Sequence, residues 1–260
     1  MTSEAIIRIG SFLAMLIAMG AVETLWPRRI LTARKMHRWF SNVSVSVLST
    51  LLIRLLTPII PTALAIYCIE NGLGLFNLIS IPGWLALPIS VLILDMIIYW
   101  QHVVFHKQQL LWRIHRMHHA DTDIDASTGI RFHPIEIAIS MIIKLAAIIL
   151  LGPPVMGVIV FEILLNGCAL FNHANVRLPI PTDSVLRLLV VTPDMHRVHH
   201  STDMSEANTN YGFNFPWWDR LFGTYKAQPE MGHDDMKIGL NIFRERSFVR
   251  LSKMLTIPFL

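Results

Sequence analysis

The chain has 260 residues, of which 53% are hydrophobic and only 15% charged, and its mean hydropathy is +0.50. Soluble domains carry about 25% charged residues, so this composition excludes an ordinary water-soluble domain and points to a membrane protein. The net charge of +4 comes with no nucleic-acid-binding motif, and the basic residues flank apolar segments as membrane-surface anchors do, so no nucleic-acid partner is expected.

The first apolar segment, residues 5–26, is interrupted by Arg8 and Glu23 and is long enough to cross a bilayer. It has neither the basic leader nor the small-residue cleavage site of a signal peptide, so it is expected to be retained. The densest basic cluster follows at 27–38, with Arg28, Arg29, Arg34, Lys35 and Arg38. The positive-inside rule makes this loop cytoplasmic and puts the start of the chain on the other side. A second apolar stretch, 43–69, contains Arg54, Pro58 and Pro61, which imply a kink and a structural arginine. Glu70-Asn71-Gly72 then turns the chain on the outer side, and a third span, 84–99, returns it just before His102.

Asp95, Tyr99, His102 and His106 follow the spacing of one continuous helical face. Asp95 could orient a metal-bound imidazole or pair with a buried cation such as Arg54. The polar, turn-forming stretch 121–129 reads as a surface loop. Apolar halves at 135–151 and 155–171 are joined by Gly152-Pro153-Pro154, which predicts a helical hairpin that brings His173 back to the starting side. Most of 177–260 is expected in the cytoplasm, with the aromatic run 208–225 at headgroup level and the tail 248–260 at the interface. Cys68 and Cys168 sit in apolar runs and read as small core residues. The expected fold class is all-α and polytopic. Transmembrane helices fill 1–100, and a histidine-rich region fills 101–260, including the membrane hairpin 135–171.

Eight of the twelve histidines fall in three short boxes: His102/His106, His115/His118/His119 and His196/His199/His200. Both triplets read His-Arg-x-His-His, and i, i+3 and i+4 positions share a helix face, so each triplet aims three imidazoles the same way. Neutral imidazole is the commonest protein metal ligand, and a four-coordinate site takes at most four protein ligands. Eight or more converging donors therefore suggest two metal ions, at the inner membrane surface.

These boxes, with Tyr99-Trp100 before the first and Trp218-Asp219-Arg220-Leu221-Phe222-Gly223-Thr224 after the last, resemble the sterol desaturase / fatty acid hydroxylase superfamily over roughly residues 90–226. The resemblance implies an integral-membrane, non-haem di-iron oxygenase that hydroxylates or desaturates a lipid C–H bond with O2. It makes His102, His106, His115, His118, His119, His196, His199 and His200 iron ligands, adds His173 as a further ligand, and brings in His133 through its His-Pro pair. Asp95, Tyr99 and Asp219 would support these ligands from behind. The chain departs from the family pattern at Val103, where many members have Arg, and at Arg177, where better-known members place another histidine.

No G-x-G-x-x-G, cysteine cluster or haem motif is present, so electrons are expected from a separate donor. A ferredoxin, or a cytochrome with its reductase, would dock on the basic cytoplasmic face. The loop 121–129 and the hairpin are expected to shape the substrate pocket. Two rivals stand beside this reading. A membrane zinc hydrolase would need a glutamate inside a box, as in H-E-x-x-H. A haem carrier or metal transporter would place its ligands on facing spans or near the bilayer midplane.

Overall fold

Within a bilayer each backbone polar group must be satisfied by its own segment, so long apolar runs become helices wherever glycine and proline do not interrupt them. The computed structural model describes residues 3–57, 59–79 and 81–260, and no strand occurs among them. The membrane part consists of α1 (Ser3–Leu25), α2 (Lys35–Leu56), α3 (Pro61–Glu70), α4 (Leu75–Leu78), α5 (Gly83–Lys107), α7 (Pro134–Leu151) and α8 (Val155–His173), with α6 (Gln109–His119) between α5 and α7. Five helical segments among the described residues are long and apolar enough to cross a membrane: α1, α2 with its continuation into α3 and α4, α5, α7 and α8. The chain is thus a polytopic helical membrane protein.

The kink expected in the second apolar stretch is a full break. Helix α2 stops at Leu56, Thr57 and Ile60 are extended, and Pro61 starts α3 at a position where its missing N–H costs nothing. Pro58 lies outside the described residues. Arg54 is exposed in the last turn of α2 and does not meet Asp95.

The hairpin of α7 and α8 is the centre of the bundle. Helices α1 and α5 pack on α8, α2 packs on α7, and α3 touches both. Val91, Leu94 and Ile98 of α5 close on Ala147 and Phe161, while Ala65 of α3 meets Ile148 and Val158 near the corner. Gly152 makes that corner in the left-handed region (φ 58°). The backbone of Gly74 comes so near that a Cβ there would lie 2.2 Å from the Gly152 nitrogen, which ties α4 to the hairpin tip. The opposite end of the bundle gathers the end of α1, the start of α2, the end of α5, the start of α7 and the end of α8. Glu23 near the end of α1 accepts from the backbone N–H of Ala126 (2.9 Å) and of Asn175 (3.2 Å), which crosslinks that end.

The stretch 121–129 is not a surface loop. Asp121, Asp125, Ser127 and Thr128 are buried around the equally buried Arg38. Arg38 donates to both Asp121 oxygens (2.9 and 2.8 Å), to the Asp123 carbonyl (3.0 Å), to Thr128 (3.1 Å) and to Asp125. A basic residue read as part of a cytoplasmic cluster thus neutralises an acidic stretch read as solvated, and together they can be buried where neither could be alone. Burial by itself would raise the Asp121 carboxyl, but the Arg38 charge outweighs it and holds the group at about 2. The tail is likewise packed in place: Met254 and Ile257 join Val45 and Met117 in one apolar cluster, and Arg116 holds the carbonyls of Ile257 (2.7 Å) and Leu260 (2.6 Å).

Replacing Arg38 by Met should strand two buried carboxylates and cost about 3–5 kcal/mol, read as a lower thermal unfolding midpoint of the detergent-solubilised protein. Because the Asp121 value is depressed, the stabilisation is complete above the ordinary carboxylate value of 3.8 and lost as pH falls through about 2. The wild-type advantage over Arg38→Met should therefore shrink in that acidic window and stay flat above it.

Candidate metal centre

Three sets of elements bring the histidines together. Helix α5 runs past the apolar span far enough to present His102 and His106 from its last turns, and α6 follows with His115, His118 and His119. Helix α8 ends on His173. After α9 (Ile180–Leu186), α10 (Pro193–His199) starts on a proline and presents His196 and His199, with His200 as its cap. All nine imidazoles are buried.

They divide into two adjacent groups whose nitrogens lie within 4.8 Å of one another: His102, His106, His115, His119 and His199 in one, and His118, His173, His196 and His200 in the other. The division follows the helix period. In each triplet the i and i+4 residues go to one group and the i+3 residue crosses to the other. His115 and His119 leave His118 for the second group, and His196 and His200 leave His199 for the first. The ring centroids of His119 and His200 lie 4.5 Å apart across the boundary.

Hydrogen bonds to the far sides of the rings decide where the protons sit. The Nδ1 of His102 donates to the Tyr211 carbonyl (2.8 Å), that of His173 to Ala169 (2.7 Å) and that of His199 to Thr209 (2.7 Å). A carbonyl can only accept, so these rings carry their proton on Nδ1 and a lone pair on Nε2. His115 Nδ1 donates likewise to Glu136 Oε1 (2.7 Å), and His106 Nδ1 faces Asn208 Oδ1 at 3.3 Å. The Nε2 atoms of His102 and His115 are therefore both unprotonated, yet only 3.1 Å apart. No hydrogen bond is available between them.

In the second group, His118 (3.1 Å), His196 (3.2 Å) and His200 (3.2 Å) all turn Nε2 toward the lone pair of His173 Nε2, which can accept from one of them at most. Converging lone pairs repel unless a cation stands among them, so the donor set fits a metal ion in each group. Burial, reinforced by neighbouring imidazoles, pushes His118, His119, His196, His199 and His200 well below the ordinary histidine value, which keeps them neutral and able to ligate.

His133 lies outside both groups. Its Nδ1 accepts from the Ile135 N–H (3.2 Å) and caps α7. The residues expected behind the ligands sit one layer further out. Asp95 accepts from the Trp218 indole (2.7 Å), and Tyr99 hydrogen-bonds Thr224 (2.9 Å). Asp219, buried and pushed up to about 6, accepts from the backbone N–H of Tyr211 (2.8 Å) and Gly212 (2.9 Å) and from Thr224 (2.7 Å). It thus fixes the strand of chain whose Tyr211 carbonyl holds His102. Within the run 208–225, Asn210, Tyr211, Asn214 and Asp219 are buried, while Trp217, Leu221 and Phe222 are exposed.

Sequence reasoning missed the direct partners. Glu136 is the first-turn acid of an apolar helix, a position the helix dipole favours whatever the residue meets. The partners from 169, 209 and 211 are main-chain carbonyls and leave no side-chain signature. Gly129 also matters here, since a Cβ at that position would lie 2.3 Å from the Ala169 oxygen that holds His173.

A buried, helix-borne polyhistidine centre at one end of a membrane bundle defines the class of protein: an integral membrane protein with a histidine-rich metal-binding site. Residues 87–224, just over half of the chain, match the fatty acid hydroxylase family, and the chain belongs to that family. It is 31% identical over 157 residues to ornithine lipid hydroxylase OlsE from Rhizobium tropici, covering 60% of this chain and 46% of that protein. It is 31% identical over 166 residues to human alkylglycerol monooxygenase (64% and 36%) and 25% identical over 172 residues to methylsterol monooxygenase 2-2 from Arabidopsis thaliana (65% and 64%). The aligned region spans less than half the length of the first two relatives. No solved structure gives a significant match.

Glu136→Gln should weaken metal binding in the five-histidine group by about 10–100-fold and leave the four-histidine group unchanged. Stepwise chelation followed by elemental analysis would then release one class of metal early, and equal retention by variant and wild type would contradict the assignment.

Proposed function

We propose that the protein is an O2-dependent oxidoreductase that hydroxylates a C–H bond of a membrane lipid, with two irons held by the nine histidines. The observation that carries this reading is the pair of adjacent, carboxylate-poor nitrogen cages, five donors beside four. Imidazole suits iron among other divalent metals, and bound irons would supply the O2 chemistry needed to attack an unactivated C–H bond. The reaction consumes O2, two electrons and two protons, and gives one alcohol and one water. The three relatives named above are by name a hydroxylase and two monooxygenases, and this favours hydroxylation over the desaturation that the histidine pattern alone leaves open.

The chain's own residues hold and shield the centre. Glu136 and the carbonyls of Ala169, Thr209 and Tyr211 lock the rings of His115, His173, His199 and His102 so that their Nε2 atoms face inward. Phe132 stacks on His118 at 4.4 Å and Phe213 lies 5.1 Å from His102, so the membrane-facing approach is walled by aromatic rings that exclude water. The electrons come from a separate donor, a ferredoxin or a cytochrome with its reductase. The basic surface at the site end, with exposed Arg34, Lys107, Arg177, Lys237 and Arg246, suits an acidic partner. The same charges support a cytoplasmic orientation for that end.

A zinc hydrolase is the weaker reading. It would use about three ligands and a free general base, whereas Glu136, the carboxylate hydrogen-bonded to a cage imidazole, is turned to His115 Nδ1.

Expression in iron-supplemented cells should give two irons per chain and a lipid heavier by one oxygen atom, detected by comparing lipid extracts of cells with and without an active copy. His118→Ala should deplete the four-histidine group, and His199→Ala the five-histidine group. Each should abolish the product while membrane insertion persists. A single zinc per chain with no oxidised lipid would overturn the proposal.

A further inference from the structure

A cavity of about 250 Å³ lies between α2, α5, α7 and α8. Its metal-side wall is made by Phe132, Glu136, Ala169 and Phe213, the residues that stack on, hydrogen-bond or adjoin His118, His115, His173 and His102. A cavity that received only hydrocarbon would be lined by apolar side chains, because a polar group at bilayer depth costs free energy unless it is satisfied. This one sets Ser46, Gln101, Ser140 and Asn166 among apolar walls such as Ile98, Ile137 and Leu165.

Gln101 and Ser140 stand out among these. Gln101 Nε2 donates to Ser140 Oγ at 2.7 Å, and the other end of the amide, Oε1, is buried with no partner. Since Ser140 accepts in this bond, its own O–H remains free to donate. Turning the amide over exchanges the roles, leaving a free N–H beside a free hydroxyl oxygen. In either orientation the pair presents one donor and one acceptor side by side. The group that satisfies both is one that itself donates and accepts: a hydroxyl or an N–H amide. An ether or ester oxygen only accepts and would leave half of the pair unmet.

The location of the pair limits where such a group sits on the substrate. Gln101 is adjacent in sequence to His102. Ser140 is one helical turn, about 5 Å, from Glu136, which holds His115. We propose that the cavity receives a lipid whose reacting carbon lies a few bonds from a hydroxyl or N–H amide, and that Gln101 and Ser140 bind this group. The inference rests on the oxygenase reading and adds to it the position of attack: beside a polar group rather than in mid-chain. Gln101 and Ser140 act as specificity-determining residues.

The test is a binding measurement on the full chain in lipid nanodiscs with three probes: hexadecanol, its methyl ether and hexadecane. Retained probe is quantified by mass spectrometry. Hexadecanol should bind about tenfold more tightly than the other two. The doubly substituted Gln101→Leu, Ser140→Ala protein should bind all three alike, with unchanged metal content. Ser140→Ala alone, on a helix that carries no cage histidine, should lose part of the preference, and Ser140→Thr, which keeps the hydroxyl, should restore it. Equal binding of the probes by wild type, or a preference that survives both substitutions, would overturn the proposal. The preference without any oxidised product would count against the oxygenase reading, and with it the position of attack, and leave the binding of a hydroxyl or amide by Gln101 and Ser140 standing. Oxidised product without the preference would do the reverse.

Discussion

Nine imidazoles buried together leave nitrogen lone pairs facing one another, as where His102 meets His115 at 3.1 Å, and only positive charge placed among them makes that arrangement favourable. Much of the surrounding structure prepares for it. The rings are buried away from water. Four of them, His102, His115, His173 and His199, have the far nitrogen tied to a carbonyl or to the Glu136 carboxylate, which holds the near nitrogen toward the cage. The polypeptide therefore carries an electrostatic cost in the cage that metal binding offsets, and metal binding and folding of this region are coupled.

Helix geometry explains how few elements are needed. A single turn aims i and i+4 at one group and i+3 at the next, so each triplet staples the two groups together. The two triplets do so in opposite senses, His118 crossing one way and His199 the other. Histidines from α5 and α8 complete one group each. Loss of α6 or α10 would therefore disturb both groups and loss of α5 or α8 one of them, so the ends of all four helices have to be held in common register. The buried Arg38–Asp121–Asp125 network meets that need, because Asp121 lies two residues past His119 and the Asp125–Thr128 turn packs on α8 beside Ala169.

The membrane gives the same scaffold a second task. The α7–α8 hairpin, on which the other spans pack, supplies both the ligand supports Glu136 and Ala169 and the walls of the cavity beside the cage. A residue such as Glu136 thus connects the geometry of the histidine cage to the cavity through one side chain. Position along α7 sets a scale, from Glu136 at the metal to Ser140 one turn deeper.

The boxes, the five apolar segments, the Gly-Pro-Pro corner and the return of His173 were all legible in the sequence, because periodicity and hydropathy are local properties and the bilayer leaves a helix few alternatives. Other features depend on residues distant along the chain. That Arg38 meets Asp121 and Asp125, so that a polar stretch is buried, is decided by packing between segments more than eighty residues apart. The expected support of imidazoles by Asp95 was plausible from a shared helical face, yet a face shows only which residues point together and not what they meet, and here Trp218 meets Asp95. His133 and His173 are both isolated histidines in sequence. Only the fold separates a helix cap from a member of the cage, because ligation depends on where a nitrogen lies in space. The main-chain carbonyls that fix the tautomers had no signature to read, since every residue has one.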